Sequence, residues 1–161
     1  MSKRAVNVLR NLALPFKFDK SNPLAGVHRR ALQKTANYTC LTSDSGAIIK
    51  VNPAATTLIQ LPAAANNAGW YVTIIIDEAD GGTMDQKVNI GTLSGEFFTG
   101  AIFCTDGAGD SFANGTSHDF INCSTDSNSG VRFEIHSDGT TMHATGWAVD
   151  ATDTKFATSA G

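Results

Sequence analysis

The stretch VRFEIHSDGTTMHATGWAVD, residues 131–150, decides the fold class. Apolar and polar side chains alternate on both sides of Asp138-Gly139, which is the pattern of two half-buried strands joined by a tight turn. We expect a two-residue type I′ turn that places residue 137 opposite residue 140. The stretch therefore predicts a β-hairpin with one core face and one outer face.

The predicted register gives the hairpin two chemically different faces. On the core face large side chains lie opposite small or flexible ones: Val131, Phe133 and Ile135 opposite Gly146, Ala144 and Met142. On the outer face Glu134 lies opposite His143 and diagonal to it is His136, and Trp147 shares this face. A tryptophan there indicates contact with a partner, although a single exposed aromatic side chain is also ordinary for a protein surface.

The alternation with a period of two extends back to Tyr38. Nine segments are predicted as strands: 38–42, 47–52, 57–61, 70–77, 87–92, 97–105, 119–124, 131–137 and 141–150. Turn-forming residues separate them, and short strands at this spacing favour an all-β sandwich or barrel, jelly-roll-like in character. We predict an extended N-terminal arm, residues 1–37, followed by a sandwich or barrel body, residues 38–161.

Charge is distributed unevenly along the 161 residues, whose formal net charge is −3. Residues 1–34 carry eight basic residues and one acidic residue, a net +7, whereas residues 35–161 carry four basic and fourteen acidic residues, a net −10. A basic arm on an acidic body indicates an interaction segment. Its basic residues alternate with apolar ones and never run beyond two, which favours a protein groove over a phosphate backbone, so we expect no nucleic-acid partner.

Neither a secretion signal nor a membrane span is expected. The apolar residues of segment 5–14 are interrupted by Asn7, Arg10 and Asn11, and no other apolar run is long enough to cross a bilayer. The three cysteines are odd in number and form no Cys-x-x-Cys pair. Reduced, buried thiols are therefore expected, as in a protein made in a cytoplasm.

Motifs for catalysis or for a cofactor are not found in the sequence. It contains no Gly-x-Ser-x-Gly, P-loop or His-Glu-x-x-His, so we predict neither an enzyme nor a cofactor. Glu134, His136 and His143 could bind a cation where three copies meet, or form an ordinary surface cluster. Residues 106–111 could bind calcium, or form an acidic turn. The prediction for both positions is that they hold no metal.

Several segments of the body resemble a known family. They read TSDSGAIIKVN (42–52), TLIQLPAAA (57–65) and AGWYVTIII (68–76), with EIHSDGT (134–140) and HATG (143–146) further on. This pattern resembles structural proteins of tailed bacteriophages, notably capsid decoration (cement) proteins and head or tail fibres. The resemblance implies a small, typically trimeric β-module bound to the outside of an icosahedral head. It implies a location in the virion after synthesis in the host cytoplasm, without a membrane.

The leading hypothesis is a capsid decoration protein that stabilises a phage head as a homotrimer. The arm would bind the major capsid protein or neighbouring decoration subunits: its apolar residues would fill pockets and its basic residues would pair with acidic rims. These arm residues are Phe16, Phe18, Leu24, Val27, Arg29, Arg30 and Lys34. The trimer would pack through faces that carry Glu134, His136, His143 and Trp147. The alternative is a fibre or receptor-binding module whose loops 81–85 and 106–114 bind a host surface glycan.

Overall fold

A computed structural model of the chain describes residues 29–77, 85–105, 110–125, 130–149 and 153–161. Within them lie twelve strands and one 3₁₀ helix at Thr42–Asp44. The strands are β1 (Ala31–Lys34), β2 (Tyr38–Thr39), β3 (Ile48–Val51), β4 (Thr57–Gln60), β5 (Tyr71–Ile76), β6 (Val88–Gly91), β7 (Phe98–Cys104), β8 (Ser111–Asn114), β9 (Phe120–Cys123), β10 (Val131–Ser137), β11 (Met142–Ala148) and β12 (Thr154–Ala157).

The strands form two mixed sheets that pack face to face, so the predicted β-sandwich is confirmed. Sheet I has seven strands in the order β1-β3-β5-β10-β11-β7-β8, and sheet II has five in the order β12-β9-β6-β4-β2. The first six strands alternate between the sheets, and within each sheet they pair in parallel in chain order, β1-β3-β5 in sheet I and β2-β4-β6 in sheet II. This half of the chain therefore winds around the core like a short solenoid, and hairpins β7–β8 and β10–β11 extend sheet I.

Each strand runs from one end of the sandwich to the other, so the connections divide into two groups. At end A, six strands end (β1, β3, β5, β7, β9 and β11) and the other six begin (β2, β4, β6, β8, β10 and β12). At end B they are joined through residues 40–47, 61–70, 92–97, 115–119 and 138–141. Because β1 runs towards end A, residues 29–30 lie at end B.

The core lies between the two sheets and is built from the inward-facing half of each alternating strand. β10 shows the alternation along its whole length, with every second side chain buried. Burying one aliphatic side chain contributes roughly 1.5–3 kcal/mol, so a core of this size needs no metal or disulfide. The largest fully buried side chains are Phe98, Phe133, Ile49, Ile59, Leu61, Ile74, Ile76, Ile90, Ile102, Ile121 and Ile135.

All nine predicted strands are present, mostly shortened by one or two residues. The first differs most, since it ends at Thr39 and a 3₁₀ helix follows at Thr42–Asp44. Three strands were not predicted: β1, β8 and β12, each four residues long. β1 lies within the predicted arm and pairs with β3, so residues 31–34 are part of sheet I.

The predicted register of the β10–β11 hairpin is wrong by two residues. Ser137 pairs with Met142, so the loop has four residues rather than two. Asp138 accounts for the longer loop, because its Oδ1 accepts hydrogen bonds from the backbone N–H groups of Thr140 and Thr141, each at 2.8 Å. A shift of two keeps every side chain on its predicted face, since side chains alternate with a period of two.

Candidate functional site

An exposed apolar patch lies on the outer face of sheet I, near end A. Trp147 on β11 and Phe103 on β7 are neighbours on parallel strands, and Phe112, on the antiparallel strand β8, pairs with Ala101 of β7. The exposed fractions are 45% for Trp147, 44% for Phe103 and 65% for Phe112, and Val149 beyond the end of β11 is also exposed. Three aromatic side chains are thus presented together on a rigid sheet. We call Phe103, Phe112, Trp147 and Val149 the aromatic patch.

A pair of histidines lies on the same outer face, nearer end B. His136 is directly opposite His143, and their rings stack with centroids 4.9 Å apart at an interplanar angle of 11°. The Nε2 atom of His143 lies 2.9 Å from Oδ2 of Asp138. The hydrogen bond from His143, together with those from Thr140 and Thr141, lowers the pKa of Asp138 to about 2. His143 therefore orders the hairpin loop.

Glu134 was predicted directly opposite His143 with His136 diagonal to it, and the observed register exchanges these two positions. Glu134 is opposite Thr145, and its carboxylate pairs with the guanidinium of Arg132. Among the residues that the structure describes, no group of three or more His, Cys, Asp or Glu side chains could hold a metal ion. The calcium alternative concerns residues 106–111, of which 106–109 lie outside the described residues; Oδ1 of Asp110 accepts a hydrogen bond from the backbone N–H of Cys104 at 3.0 Å.

Arg30 anchors the beginning of the described chain to a buried carboxylate at end B. It forms an ion pair with Asp44, whose side chain is only 4% exposed. The hydroxyl of Tyr38 and the backbone N–H of Leu41 donate hydrogen bonds to Oδ2 of Asp44, at 2.6 and 2.8 Å. Burial alone would raise the pKa of Asp44, but these hydrogen bonds and Arg30 outweigh it, so the pKa lies below its ordinary value.

The network around Asp44 changes the ionisation of its neighbours as well. Burial, with the hydrogen bond to Asp44 as the next cause, raises the pKa of Tyr38 to about 12. Burial also raises the pKa of the Cys40 thiol to about 12. Both groups therefore stay protonated at neutral pH, and Asp44 carries the negative charge that faces Arg30.

Arg29 extends the same anchor onto the outer face of sheet I. Its Nε donates a hydrogen bond to the carbonyl oxygen of Gly46 at 3.0 Å, and its guanidinium lies 5.4 Å from the ring centroid of Tyr71. Beside Arg29 and Tyr71 is a cleft of about 250 Å³, which is lined by Arg29, Tyr71, Val72, Thr73, Glu134, Ile135 and His136. The cleft combines an aromatic ring with groups of both charges, which suits a polar ligand.

The arm residues predicted to bind a capsid divide into two sets. Arg29, Arg30 and Lys34 contact the body of their own chain, and the ammonium group of Lys34 lies 3.4 Å from the ring centroid of Tyr38. Their pairing with a capsid protein stays a prediction. The four apolar members of the set lie outside the described residues: Phe16, Phe18, Leu24 and Val27.

Sequence reasoning found Trp147 but missed the two aromatic side chains beside it. Phe103 reaches Trp147 through the parallel pairing of β7 and β11, which are separated by almost forty residues of chain. Alternation predicts which side chains share a face of one strand, but not which strands are neighbours. The sequence predicted Asp44 as part of a turn, and nothing in the neighbouring residues indicated that its side chain is buried.

The described residues include no helix that is long and apolar enough to cross a membrane. All three cysteines are described: Cys40 and Cys123 are buried, Cys104 is partly buried, and none is in a disulfide. No protein-family model, curated protein or solved structure matches the chain.

Proposed function

We propose that this chain is a virion structural protein, a capsid decoration protein that binds the outside of a phage head as a homotrimer. The observation that carries the proposal is the aromatic patch on the outer face of sheet I. Exposed apolar surface of this kind marks a surface that a partner covers, and aromatic side chains are enriched in such interfaces. The resemblance of segments 42–76 and 134–146 to phage structural proteins supplies the class of assembly.

In this proposal the homotrimer packs through the outer face of sheet I, with Glu134, His136, His143 and Trp147 at or near the contact. The arm then fastens the trimer to the major capsid protein or to neighbouring decoration subunits. Binding only to the assembled shell stabilises that shell by mass action. Many copies in symmetric positions add avidity to modest individual contacts. No catalytic residue is assigned.

The proposal is tested on purified particles of the virus that encodes the chain. Quantitative mass spectrometry should find the chain in a copy number proportional to the capsomers, and cryo-electron microscopy should find the sandwich on the outer surface of the head. Particles that lack the chain should lose genome at a lower temperature. Absence of the chain from mature particles would contradict a virion role altogether.

A fibre or receptor-binding module is the second candidate, and the cleft beside Tyr71 favours it. An aromatic ring flanked by Arg29, Glu134 and His136 offers stacking and hydrogen bonds of the kind that a sugar uses. A glycan array probed with the full chain and with Tyr71→Ala tests it. Selective binding that is lost in the variant supports the fibre role, and a low copy number confined to the tail or to fibres supports it further.

A further inference from the structure

The cleft beside Tyr71 is built on two neighbouring strands of sheet I. Tyr71 and Thr73 on β5 lie directly opposite His136 and Glu134 on β10, so the four side chains share the outer face. Their positions form a rectangle of roughly 5 by 7 Å. The cleft has a volume of about 250 Å³. Sites for drug-sized ligands measure about 300–1,000 Å³, so this cleft suits a ligand with one small ring.

Arg29 borders the cleft and is held in place by neutral groups. Its Nε donates a hydrogen bond to the carbonyl oxygen of Gly46 at 3.0 Å, and its Nη2 donates one to that of Ala47 at 3.4 Å. Among the residues that the structure describes, no carboxylate lies within ion-pair distance of Arg29. Because a guanidinium has five N–H donors, Arg29 keeps donors and an uncompensated positive charge for a ligand.

The negative charge in the cleft, in contrast, is already compensated. The Oε1 atom of Glu134 pairs with the guanidinium of Arg132 on the same strand. Glu134 can therefore still accept a hydrogen bond through Oε2, but it offers no uncompensated charge to an ammonium group. Arg29 and Arg132 against Glu134 leave one net positive charge beside the cleft. The charges favour a ligand that combines an anionic group with hydroxyl groups.

We propose that this cleft binds a saccharide that carries an anionic substituent, such as the carboxylate of a hexuronic acid. The anionic group accepts charge-assisted hydrogen bonds from Arg29, and a hydroxyl donates to Glu134. The sugar ring packs against the side chain of Tyr71, which is 48% exposed. Because the guanidinium is already held in place, little conformational freedom is lost on binding. The inference rests on the receptor-binding role proposed for this cleft and names the class of its ligand.

The cleft is separate from the aromatic patch. Ile75 on β5 is level with Trp147, since both pair with Arg132 on the strand between them. Tyr71 lies four residues before Ile75, so the cleft is about 13 Å further towards end B and on a different pair of strands. A contact confined to the aromatic patch therefore leaves the cleft open to a ligand.

The test compares saccharides that differ in one substituent, each titrated into the full chain. Methyl glucuronide, methyl glucoside and the sulfate ester of methyl glucoside share one sugar ring, and NMR shifts of the amide groups of β5 and β10 report binding. A ligand of this size should bind with a Kd on the order of 1 mM. At least one of the two anionic saccharides should bind about tenfold more tightly than the neutral glucoside. Acetate, which has the charge without the ring, should bind about tenfold more weakly than the glucuronide.

A matched pair of variants assigns the group that binds the anion. Arg29→Gln should lower the affinity for the anionic saccharide about tenfold and leave the affinity for the glucoside unchanged. Lys155→Gln removes the same charge from an exposed position on β12 of sheet II and should change neither affinity. Tyr71→Ala should weaken the binding of charged and neutral saccharides alike. Circular dichroism of each variant checks that the sandwich is intact, and the comparison of ligands on the unaltered chain needs no variant.

Three outcomes would overturn the inference. Equal affinities for the charged and neutral saccharides, or no binding of any of them, would show that the cleft does not select an anionic sugar. Equal affinities for acetate and the glucuronide would show that the sugar ring contributes nothing. Unchanged discrimination in Arg29→Gln would place the anion elsewhere. Selective binding of other, neutral saccharides on the glycan array would leave the receptor-binding role standing, and the isolated chain suffices for every measurement, so its result is independent of the proposed virion role.

Discussion

A single buried carboxylate organises the point at which the described chain begins. Asp44 accepts hydrogen bonds from Tyr38 and from the backbone of Leu41 and pairs with Arg30. The contacts with Tyr38 and Arg30 join other parts of the chain to the 3₁₀ helix at Thr42–Asp44, and the hydrogen bond from Leu41 caps the start of that helix. Removing one member of a buried polar network leaves the others unsatisfied, so the cost exceeds that of one hydrogen bond.

Asp44→Asn should lower the free energy of unfolding by about 2 kcal/mol at pH 7. The pKa of Asp44 is lowered in the folded protein, so its stabilising contribution is present above the unfolded pKa of about 3.9 and is lost as the pH falls through the lower folded value. The difference between wild type and variant should therefore shrink at acidic pH. Urea denaturation at several pH values measures it. Asp85→Asn, at an exposed carboxylate, is the control, and equal effects of both changes would contradict the role given to Asp44.

Tyr38→Phe tests the hydrogen bonds themselves. The hydrogen bond from the hydroxyl of Tyr38 helps to lower the pKa of Asp44, so removing that hydroxyl should move this pKa upward. Carboxyl carbon chemical shifts followed by NMR titration report the pKa directly. Tyr71→Phe changes a tyrosine near Arg29 instead and should leave the pKa of Asp44 where it is. An unchanged titration of Asp44 in Tyr38→Phe would show that this hydrogen bond does not form in solution.

At the scale of elements, sheet I depends on large side chains packed against small ones. Phe133 on β10 pairs with Gly146 on β11 and fills the space that a side chain at 146 would occupy. A Cβ atom at Gly146 would lie 2.7 Å from Cδ1 of Phe133 and 3.2 Å from Cγ1 of Ile102. Both neighbours are fully buried and have no room to move outward.

Gly146→Ala should therefore destabilise the protein by about 2 kcal/mol through overpacking. Thr145→Ala, one residue earlier and on the outer face, is the control and should change the stability by much less. Adding Phe133→Leu to Gly146→Ala should cost less than the sum of the two separate changes, because the smaller side chain frees the space. Chemical denaturation of the four proteins completes the double-mutant cycle, and strict additivity would contradict the contact.

The predicted strands are long enough to show an alternating pattern of their own, whereas the missed strands depend on their neighbours in the sheet. Long segments with alternating apolar and polar side chains, such as β10, are recognisable in the sequence. Phe133 was correctly predicted on the core face of the hairpin and Trp147 on its outer face. β1, β8 and β12 lie at sheet edges and are too short to show a period of two. They are recognised as strands only from their pairing with the neighbouring strands of the sheet. The loop at Asp138 was predicted two residues too short. The carboxylate of Asp138 accepts hydrogen bonds from the backbone N–H groups of Thr140 and Thr141, and these bonds compete with a two-residue turn. The aromatic patch required the pairing of β7 with β11, which is a property of topology.

At the scale of the whole molecule, the charge split and the strand directions belong together. Segment 1–34 carries a net charge of +7 and segment 35–161 a net charge of −10. The described part of the basic segment begins at end B, where Arg30 pairs with Asp44. The boundary between segment and sandwich is set by the contacts of residues 29–34, since Arg29 and Arg30 are tied to end B and β1 completes the edge of sheet I.

Two truncations place that boundary experimentally. Deleting residues 1–28 leaves every described strand in place and should change the midpoint of thermal unfolding by only a few degrees. Deleting residues 1–34 also removes β1 and Arg30. It leaves the edge of β3 unpaired and Asp44 without its cation, so the free energy of unfolding should fall by about 3 kcal/mol. Differential scanning calorimetry and urea denaturation compare the two. Equal stability of both truncated proteins would mean that β1 contributes nothing to the sandwich and that the interaction segment extends to residue 34.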